Sequence, residues 1–217
     1  MFLFCLMIAV LLIERRNIIY RNTDLKLDVL DQSLFAAESP DKEPECLLLW
    51  DSSVPLSASA RKQMNDVLSE MKVSFREQDL RENGRLQLSG YENVVIATDD
   101  YDIFGEQVFD IFDAVKSGTN LLTVCPPSSL TYYSLIMGWL GIREMGYEQY
   151  EVTGLRLASD FMLGGQGKDF EISDPYDSSS TVSLYEDCTV HLVSADEREL
   201  PIIWEYSHGE GTVVVNN

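Results

Sequence analysis

Short apolar runs alternate with amphipathic stretches from residue 46 onward. The runs at 47–50, 73–77, 94–97 and 121–125 have the length of buried strands, and turn-forming residues follow them. Between the runs, apolar side chains recur at the i, i+3, i+4, i+7 spacing of a helix face: Met64, Val67, Leu68 and Met71, and then Val108, Ile111, Phe112 and Val115. This order predicts βαβ units and therefore a parallel sheet with crossover helices.

Serine and glycine residues mark the predicted helix ends. Ser57 or Ser59 is expected to cap the first helix, because a serine hydroxyl accepts a hydrogen bond from a free N–H of the first turn. Gly118 is expected to end the second helix in a left-handed conformation. Ser128 or Ser129 is expected to open a third helix, which follows the prolines that stop the fourth strand.

The pattern changes beyond residue 146. Alternating apolar and polar positions predict antiparallel strands at 150–158 and 181–193, with a loop at 174–180 between them. Two final strands, 202–206 and 212–215, are joined by a turn that contains glycine. The predicted fold class for residues 46–217 is thus α/β, a three-layer flavodoxin-like domain with a mostly parallel sheet and antiparallel strands toward the C-terminus.

The front of the chain has a different character. Residues 1–13 are all apolar, and Glu14, Arg15 and Arg16 end the run. A helix of this length spans about 20 Å, less than the hydrocarbon core of about 30 Å, so residues 18–20 must extend it or the natural start lies upstream. We predict a membrane anchor or signal-anchor at 1–20 and a linker at 21–45. A buried N-terminal helix is the alternative.

The arginines after this run are relevant to which side of the membrane the domain occupies. Taken literally, they would hold the domain in the cytoplasm. A basic segment upstream of Met1 would reverse that orientation, and we expect a membrane-anchored domain on the extracytoplasmic side.

Charge and cysteine spacing exclude several function classes. Sixteen basic and 36 acidic residues give a net charge of −20, which repels nucleic acid phosphates. The cysteines at 5, 46, 125 and 188 have no C-x-x-C spacing, so no zinc site is predicted. His191 has no second histidine nearby, and a metal there would need carboxylates supplied by the fold. No metal and no cofactor is therefore predicted.

Acidic residues follow two of the predicted parallel strands. Asp51 comes directly after the first strand, and Asp99 and Asp100 follow the third. Ligands of open α/β sheets bind outside the carboxyl ends of the strands. These three residues are the predicted ligand-binding residues. The alternative is that they belong to the solvated loops of a very acidic chain.

Cys125 with His208 and Glu210 is the candidate for catalysis. A cysteine at the end of a parallel strand, followed later by His-x-Glu, is the order of groups in class I glutamine amidotransferases, whose cysteine lies in a Gly-x-Cys-x-Gly turn. Here Pro126 and Pro127 follow the cysteine. Proline has no N–H to donate to an oxyanion and restricts the residue before it. We predict no catalytic residue, and a working cysteine hydrolase or amidotransferase is the alternative.

The order of these segments also carries a family resemblance. Segments 47–51, 93–100, 108–124, 138–142 and 201–215 resemble the class I glutamine amidotransferase-like superfamily in its noncatalytic branch. More narrowly, the chain resembles the amino-terminal part of bacterial proteins of domain-of-unknown-function family 2194.

This resemblance implies a function as well as a fold. It implies a membrane tether, a role in cell-surface exopolysaccharide biosynthesis and a deacetylase-like barrel that would lie outside this sequence. The expected function is a catalytically silent accessory or binding module. Its expected partners are the membrane and a polysaccharide or a protein of a biosynthetic complex.

Overall fold

The computed structural model describes residues 44–82, 85–125, 127, 131–160, 165–178 and 181–217. The predicted anchor, nearly all of the predicted linker, and the predicted helix caps Ser128 and Ser129 lie outside these residues. None of the helices formed by the described residues has the length and apolar content that crossing a bilayer requires.

Eleven strands, three helices and one 3₁₀ turn make up the described part of the chain. The strands are β1 (Cys46–Trp50), β2 (Phe75–Asp79), β3 (Asn93–Ile96), β4 (Asn120–Thr123), β5 (Ile142–Gly146), β6 (Tyr150–Leu157), β7 (Asp169–Ser178), β8 (Thr181–Leu184), β9 (Thr189–Ser194), β10 (Pro201–His208) and β11 (Gly211–Asn216). The helices are α1 (Pro55–Glu70), α2 (Gln107–Lys116) and α3 (Tyr133–Trp139), and the 3₁₀ turn is Tyr101–Phe104.

One large sheet organises the fold. Its order is β2-β1-β3-β4-β11-β10-β9-β6-β7, and β5 and β8 form a separate two-stranded sheet. The strands from β2 to β11 in this order pair in parallel, and those from β11 to β7 pair antiparallel. The predicted mixed α/β class, with antiparallel strands toward the C-terminus, is confirmed. The order of the five parallel strands is that of flavodoxin-like sheets.

The parallel half is covered on both faces. Successive residues of a strand point to opposite faces, so Leu48 packs with Met64 of α1 while Leu49 packs with Phe112 of α2 on the other side. Trp204 is fully buried with Phe112, and its indole N–H donates to the Leu140 carbonyl at 2.8 Å. The helices and the sheet therefore form three layers in this half of the molecule.

The sequence prediction failed in the antiparallel half. Residues 174–178, part of a predicted loop, belong to the long strand β7, and the predicted strand 181–193 is divided into β8 and β9. Strand β7 is an edge strand of the large sheet. Proline is tolerated at an edge, so Pro175 can lie in this strand, although in sequence it resembles a turn residue.

The predicted cap of the first helix is also wrong. Helix α1 begins at Pro55, whose ring fixes a helical φ at the first position. Ser57 therefore lies inside the helix, where its buried Oγ accepts a hydrogen bond from the Asp51 N–H at 2.7 Å. Ser59 lies inside α1 as well and is exposed. Gly118, by contrast, follows α2 with a φ of 108°, as its position predicts.

Candidate functional site

The parallel strands end at one edge of the sheet, which we call the carboxyl edge. The chain passes from β1 to β2 on one side and then returns to β3 on the other side of β1. The strand order thus reverses between β1 and β3, and the loops after these two strands diverge. A crevice at such a point is where open α/β sheets bind ligands.

Asp51 is the buried centre of this edge. It follows β1 with no exposed surface, and its Oδ1 accepts hydrogen bonds from the Ser53 N–H at 2.8 Å and the Ser53 hydroxyl at 2.7 Å. Arg81 donates from Nε to Oδ1 and from Nη2 to Oδ2, both at 3.0 Å. Burial by itself would raise the pKa of Asp51, but the hydrogen bonds from Arg81 and Ser53 outweigh it and lower the pKa. The carboxylate is therefore charged at neutral pH.

A second carboxylate fixes the same loop from β2. Asp79, also buried, accepts on Oδ1 from the backbone N–H groups of Arg81 at 3.0 Å and Ser52 at 3.3 Å. Burial and the charge of Asp51 raise the pKa of Asp79, whereas these hydrogen bonds lower it, and the net shift is downward. Arg81 is thus held through its backbone by Asp79 and through its side chain by Asp51.

The loop after β3 brings the other two predicted ligand-binding residues to this edge. Asp100 begins the 3₁₀ turn, with its Oδ1 accepting from the Asp102 N–H at 3.0 Å, and its charge helps to raise the pKa of Arg81, after the larger effect of Asp51. Asp99 precedes it, and both are partly exposed. The structure therefore places Asp51, Asp99 and Asp100 at the carboxyl edge, and ligand binding there stays a prediction.

Two buried hydroxyl groups lie near this loop. Tyr101 is 2% exposed and Thr123 is fully buried. The two hydroxyls interact with each other, without reaching the geometry of a full hydrogen bond. Burial, followed by the nearby Cys125, raises the pKa of Tyr101, with a smaller contribution from Asp99, whereas hydrogen bonding with the Thr123 hydroxyl opposes the shift. The phenol is therefore a neutral group within reach of the acidic loop.

Cys125 lies near Tyr101 at the carboxyl edge, but His208 does not. His208 pairs with Gly211 at the turn between β10 and β11, and β11 then runs parallel to β4, with Val213 opposite Leu121. This register places His208 near the level of Thr119, at the amino edge of the parallel strands. At about 3.3 Å per residue, the rise from Thr119 to Cys125 is about 20 Å.

His208 and Glu210 have local partners at the amino edge. The His208 ring packs edge-on against Phe112, with the centroids 6.0 Å apart, and burial followed by the charge of Lys116 lowers the pKa of His208. The Glu210 N–H donates to the Lys116 carbonyl at 3.0 Å. The structure does not bring Cys125, His208 and Glu210 together.

The remaining candidates are accounted for by local contacts. His191 is 3% exposed, shares a 2.6 Å hydrogen bond between its Nδ1 and the Ser159 Oγ, and has Glu205 Oε2 at 3.4 Å from its Nε2. The fold thus supplies one carboxylate to His191. In the part of the chain that the structure describes, no set of three or more His, Cys, Asp or Glu side chains is arranged to hold a metal ion. Burial raises the pKa of the half-buried Cys188 thiol to about 11.

Sequence reasoning missed Arg81, Asp79, Tyr101 and Thr123 at this edge. Arg81 comes after β2, and its contact with Asp51 depends on the pairing of β1 with β2. Tyr101 and Thr123 resemble ordinary core or strand-end positions in the sequence. The one signal that the sequence offered for this edge was that a polar residue follows each buried apolar run.

Several solved structures have a similar fold. A ThuA-like protein from Parabacteroides merdae matches with a TM-score of 0.54 and 10% identity over 80% of this chain and 79% of that one. A β-galactosidase from Bacillus circulans sp. alkalophilus matches with a TM-score of 0.51 and 13% identity, and the match covers 80% of this chain but only 28% of the β-galactosidase. A glutamine amidotransferase from Thermotoga maritima matches with a TM-score of 0.46 and 16% identity over 80% of this chain and 75% of that one. At these identities, the likeness to the ThuA-like protein and to the β-galactosidase concerns the fold alone.

Sequence comparison gives a family match as well. The model of a family described as "Uncharacterised protein conserved in bacteria (DUF2194)" matches residues 4–217. A comparison with curated proteins finds no match.

Proposed function

Since the chain belongs to the DUF2194 family, as its sequence predicted, we propose that it is a noncatalytic, amidotransferase-like module that binds a ligand at the carboxyl edge of its sheet. One observation carries the noncatalytic part of this proposal. The candidate thiol lies at the carboxyl edge, whereas the candidate imidazole lies at the amino edge.

Acyl transfer by a cysteine requires a base close to the thiol. A nucleophile and its base lie about 2.6–3.2 Å apart in working sites, or slightly further apart without substrate. The separation of about 20 Å along the strands exceeds this by far. In addition, Cys125 is 2% exposed, and the proline after it has no N–H for an oxyanion.

The carboxyl edge supports the binding part of the proposal. Asp51 and Asp79 fix the loop after β1, and Arg81 presents a half-exposed guanidinium above them. Such a preorganised polar group at the point where the strand order reverses is suited to hold a ligand without reacting with it.

The cellular role follows from the family resemblance. We infer that the segment at 1–20 tethers the domain to a membrane and that the linker at 21–45 holds it away from the bilayer. There it serves as an accessory module of exopolysaccharide biosynthesis, with a polysaccharide or a protein of the biosynthetic complex as its partner. Replacing Leu6 and Val10 by glutamate in the full chain should move it from the membrane fraction to the soluble fraction, because charges oppose insertion. Unchanged fractionation would contradict the tether.

A thiol-labelling experiment tests the noncatalytic proposal. The native chain and its His208→Ala variant are treated with iodoacetamide between pH 5 and 9, and labelling of each cysteine is followed by mass spectrometry. We expect Cys125 to react slowly in both, because a thiol that is 2% exposed and about 20 Å along the strands from His208 forms little accessible thiolate. The urea-unfolded chain gives the reference rate. Fast labelling of Cys125 at low pH that is lost in His208→Ala would overturn the proposal.

A further inference from the structure

A cluster of apolar side chains lies on the surface of α2 and α3. The Phe109 ring packs edge-on against Tyr132, with the ring centroids 5.2 Å apart, and against Trp139, with the centroids 5.6 Å apart. Tyr132 is 36% exposed and Leu135 is 48% exposed, while Phe109 and Trp139 are partly buried. Leu135 and Trp139 are one helical turn apart and so lie on the same side of α3. We call these four residues the aromatic patch, because exposed apolar groups that lie together mark interaction surfaces.

Acidic side chains border the aromatic patch along α2. Glu106, Asp110 and Asp113 are exposed and recur at the i, i+4, i+7 spacing, which places them on the same side of the helix as Phe109. Lys116 follows one turn later and pairs with the Asp113 carboxylate at 3.4 Å. Glu106 and Asp110 therefore leave this side of α2 with an excess of negative charge. We call Glu106, Asp110 and Asp113 the acidic flank.

The charge of this surface disfavours three kinds of occupant. The chain has a net charge of −20, so two copies that met through their acidic flanks would repel each other. Anionic lipid headgroups and nucleic acid phosphates would be repelled for the same reason. The occupant that complements the acidic flank is cationic.

The orientation of the rings favours side chains over a flat ligand. The Phe109 ring stands at 74° to Tyr132 and at 80° to Trp139, so the three rings do not form one flat surface. A flat ligand can stack on only one of them at a time. Aliphatic side chains fit between such rings through dispersion, and Lys or Arg side chains also bind to ring faces. Both kinds of side chain are present on a basic amphipathic helix.

We infer that the aromatic patch and the acidic flank bind a basic amphipathic helix of a partner protein. The apolar side of that helix contacts Phe109, Tyr132 and Leu135, and its Lys or Arg side chains pair with Glu106 and Asp110. Because the acidic flank itself has helical spacing, a helix that lies along α2 can present basic groups at the same spacing. Helices α2 and α3 pack on a face of the sheet, so this inference does not depend on ligand binding at the carboxyl edge.

Peptide binding to the full chain in nanodiscs of neutral lipid tests this inference. The probe is a synthetic helix of about 15 residues with photo-leucine at the i, i+3, i+4 and i+7 positions and lysine beside them. A second peptide has glutamate in place of every lysine, and empty nanodiscs give the background. Fluorescence anisotropy measures affinity, and mass spectrometry locates the crosslinks. We expect crosslinks in α2 and α3 and an affinity about tenfold higher for the lysine peptide. Equal binding of both peptides, or crosslinks only elsewhere, would overturn the inference.

Two serine substitutions locate the apolar contact. Leu135→Ser changes the aromatic patch, and Leu56→Ser is its matched control, because Leu56 is 42% exposed and lies in α1, which packs on the other face of the sheet. We expect Leu135→Ser to lower the affinity for the lysine peptide about tenfold and Leu56→Ser to leave it unchanged. Thermal unfolding checks that both variants are folded. An equal loss in both variants, or no loss in Leu135→Ser, would refute the assignment.

Two double substitutions locate the charge contact. Glu106→Gln with Asp110→Asn removes two charges from the acidic flank, and Asp66→Asn with Glu70→Gln removes two from α1. We expect the first pair to lower the affinity about fivefold at low salt, and the second pair to have no such effect. An equal effect of both pairs would mean that the peptide responds only to the overall charge of the chain, which would contradict a site on α2.

Sedimentation of the full chain in detergent tests whether a second copy covers the aromatic patch instead. We expect the native chain and Leu135→Ser to have the same mass. A native dimer that Leu135→Ser dissociates would show that this surface joins two copies and would overturn the inference. The labelling of Cys125 decides independently whether the domain is noncatalytic.

Discussion

The two edges of the parallel half contain similar residue types but are built in different ways. At the carboxyl edge, side-chain hydrogen bonds connect the loops: Arg81, which follows β2, donates to Asp51, which follows β1. At the amino edge, the turn that carries His208 and Glu210 lies backbone-to-backbone against the end of α2. Whether a residue of a catalytic type can take part in a site therefore depends on the edge of the sheet at which the strand direction places it.

Strand direction explains why the candidate triad is divided. Strand β10 runs antiparallel to β11, and β11 runs parallel to β4. His208, at the end of β10, therefore lies where β4 begins, whereas Cys125 lies where β4 ends. The order Cys…His-x-Glu along the chain would be the same whether the three residues met at one edge or lay at opposite edges. Only the pairing of β10 with β11 shows that they lie at opposite edges.

The largest expected effect is at the amino edge. A Cβ on Gly211 would lie 2.2 Å from the Thr119 carbonyl oxygen and 2.3 Å from that of Val115, and neither backbone atom can move freely. We expect Gly211→Ala to lower the free energy of unfolding by about 3 kcal/mol, the upper range for overpacking. Urea denaturation followed by circular dichroism measures this.

Gly138→Ala is the matched control for that substitution. Gly138 lies in α3, and a Cβ added there would meet no atom within 4 Å among the described residues, apart from its chain neighbours and the backbone of its own helix. The variant should become slightly more stable, because alanine favours a helix by about 1 kcal/mol. Equal stability of Gly211→Ala and the native chain would show that the backbone contact at the amino edge is not formed.

The next effect is at the carboxyl edge. Asp51→Asn removes the charge that Arg81 and Ser53 bind, and we expect a loss of about 2 kcal/mol at pH 7, the range for a buried hydrogen bond to a charged group. The folded pKa of Asp51 is depressed, so its contribution is complete above the unfolded pKa of about 3.9 and is lost as pH falls through the folded value.

The pH dependence provides the check on Asp51. The stability difference between the native chain and Asp51→Asn should shrink as the pH is lowered from about 5 toward 2, as measured by urea denaturation at each pH. Asp110→Asn, an exposed residue on α2, should show no comparable difference at any pH. A difference that stays constant down to about pH 2 would mean that the Asp51 charge does not stabilise this edge.

The sequence predicted best where the signal is local. The apolar run before Asp51 and the helical spacing of Val108, Ile111, Phe112 and Val115 depend on a few neighbouring residues, and both elements are present. Asp51, Asp99 and Asp100 could be assigned to one edge because all parallel strands end on the same side.

Features that depend on distant pairing could not be predicted. Strand β7 exists because β6 pairs with it, and its Pro175 resembles a turn until its place at the sheet edge is known. The contact between Arg81 and Asp51 and the separation of His208 from Cys125 likewise depend on which strands are neighbours. Residue types suggested candidate chemistry in several segments of the chain. Only the strand topology shows which of these residues lie at the carboxyl edge and which at the amino edge.

The smallest expected effect decides between the two interpretations of His208. Burial and Lys116 lower its pKa, so the folded state favours the neutral imidazole. Its contribution is present above the unfolded pKa of about 6.5 and decreases as pH falls below it. The loss should be below about 1 kcal/mol, because the ring is partly exposed and screened by solvent.

His208→Phe keeps a ring against Phe112 and Trp139 and should remove this part of the pH dependence, as thermal unfolding between about pH 7.5 and 5 measures. A histidine paired with a thiolate or carboxylate would behave in the opposite way, because the negative partner raises the pKa and the native chain would gain stability from His208 as pH falls. The sign of the difference between the native chain and His208→Phe therefore distinguishes a histidine packed at the amino edge from one that serves Cys125.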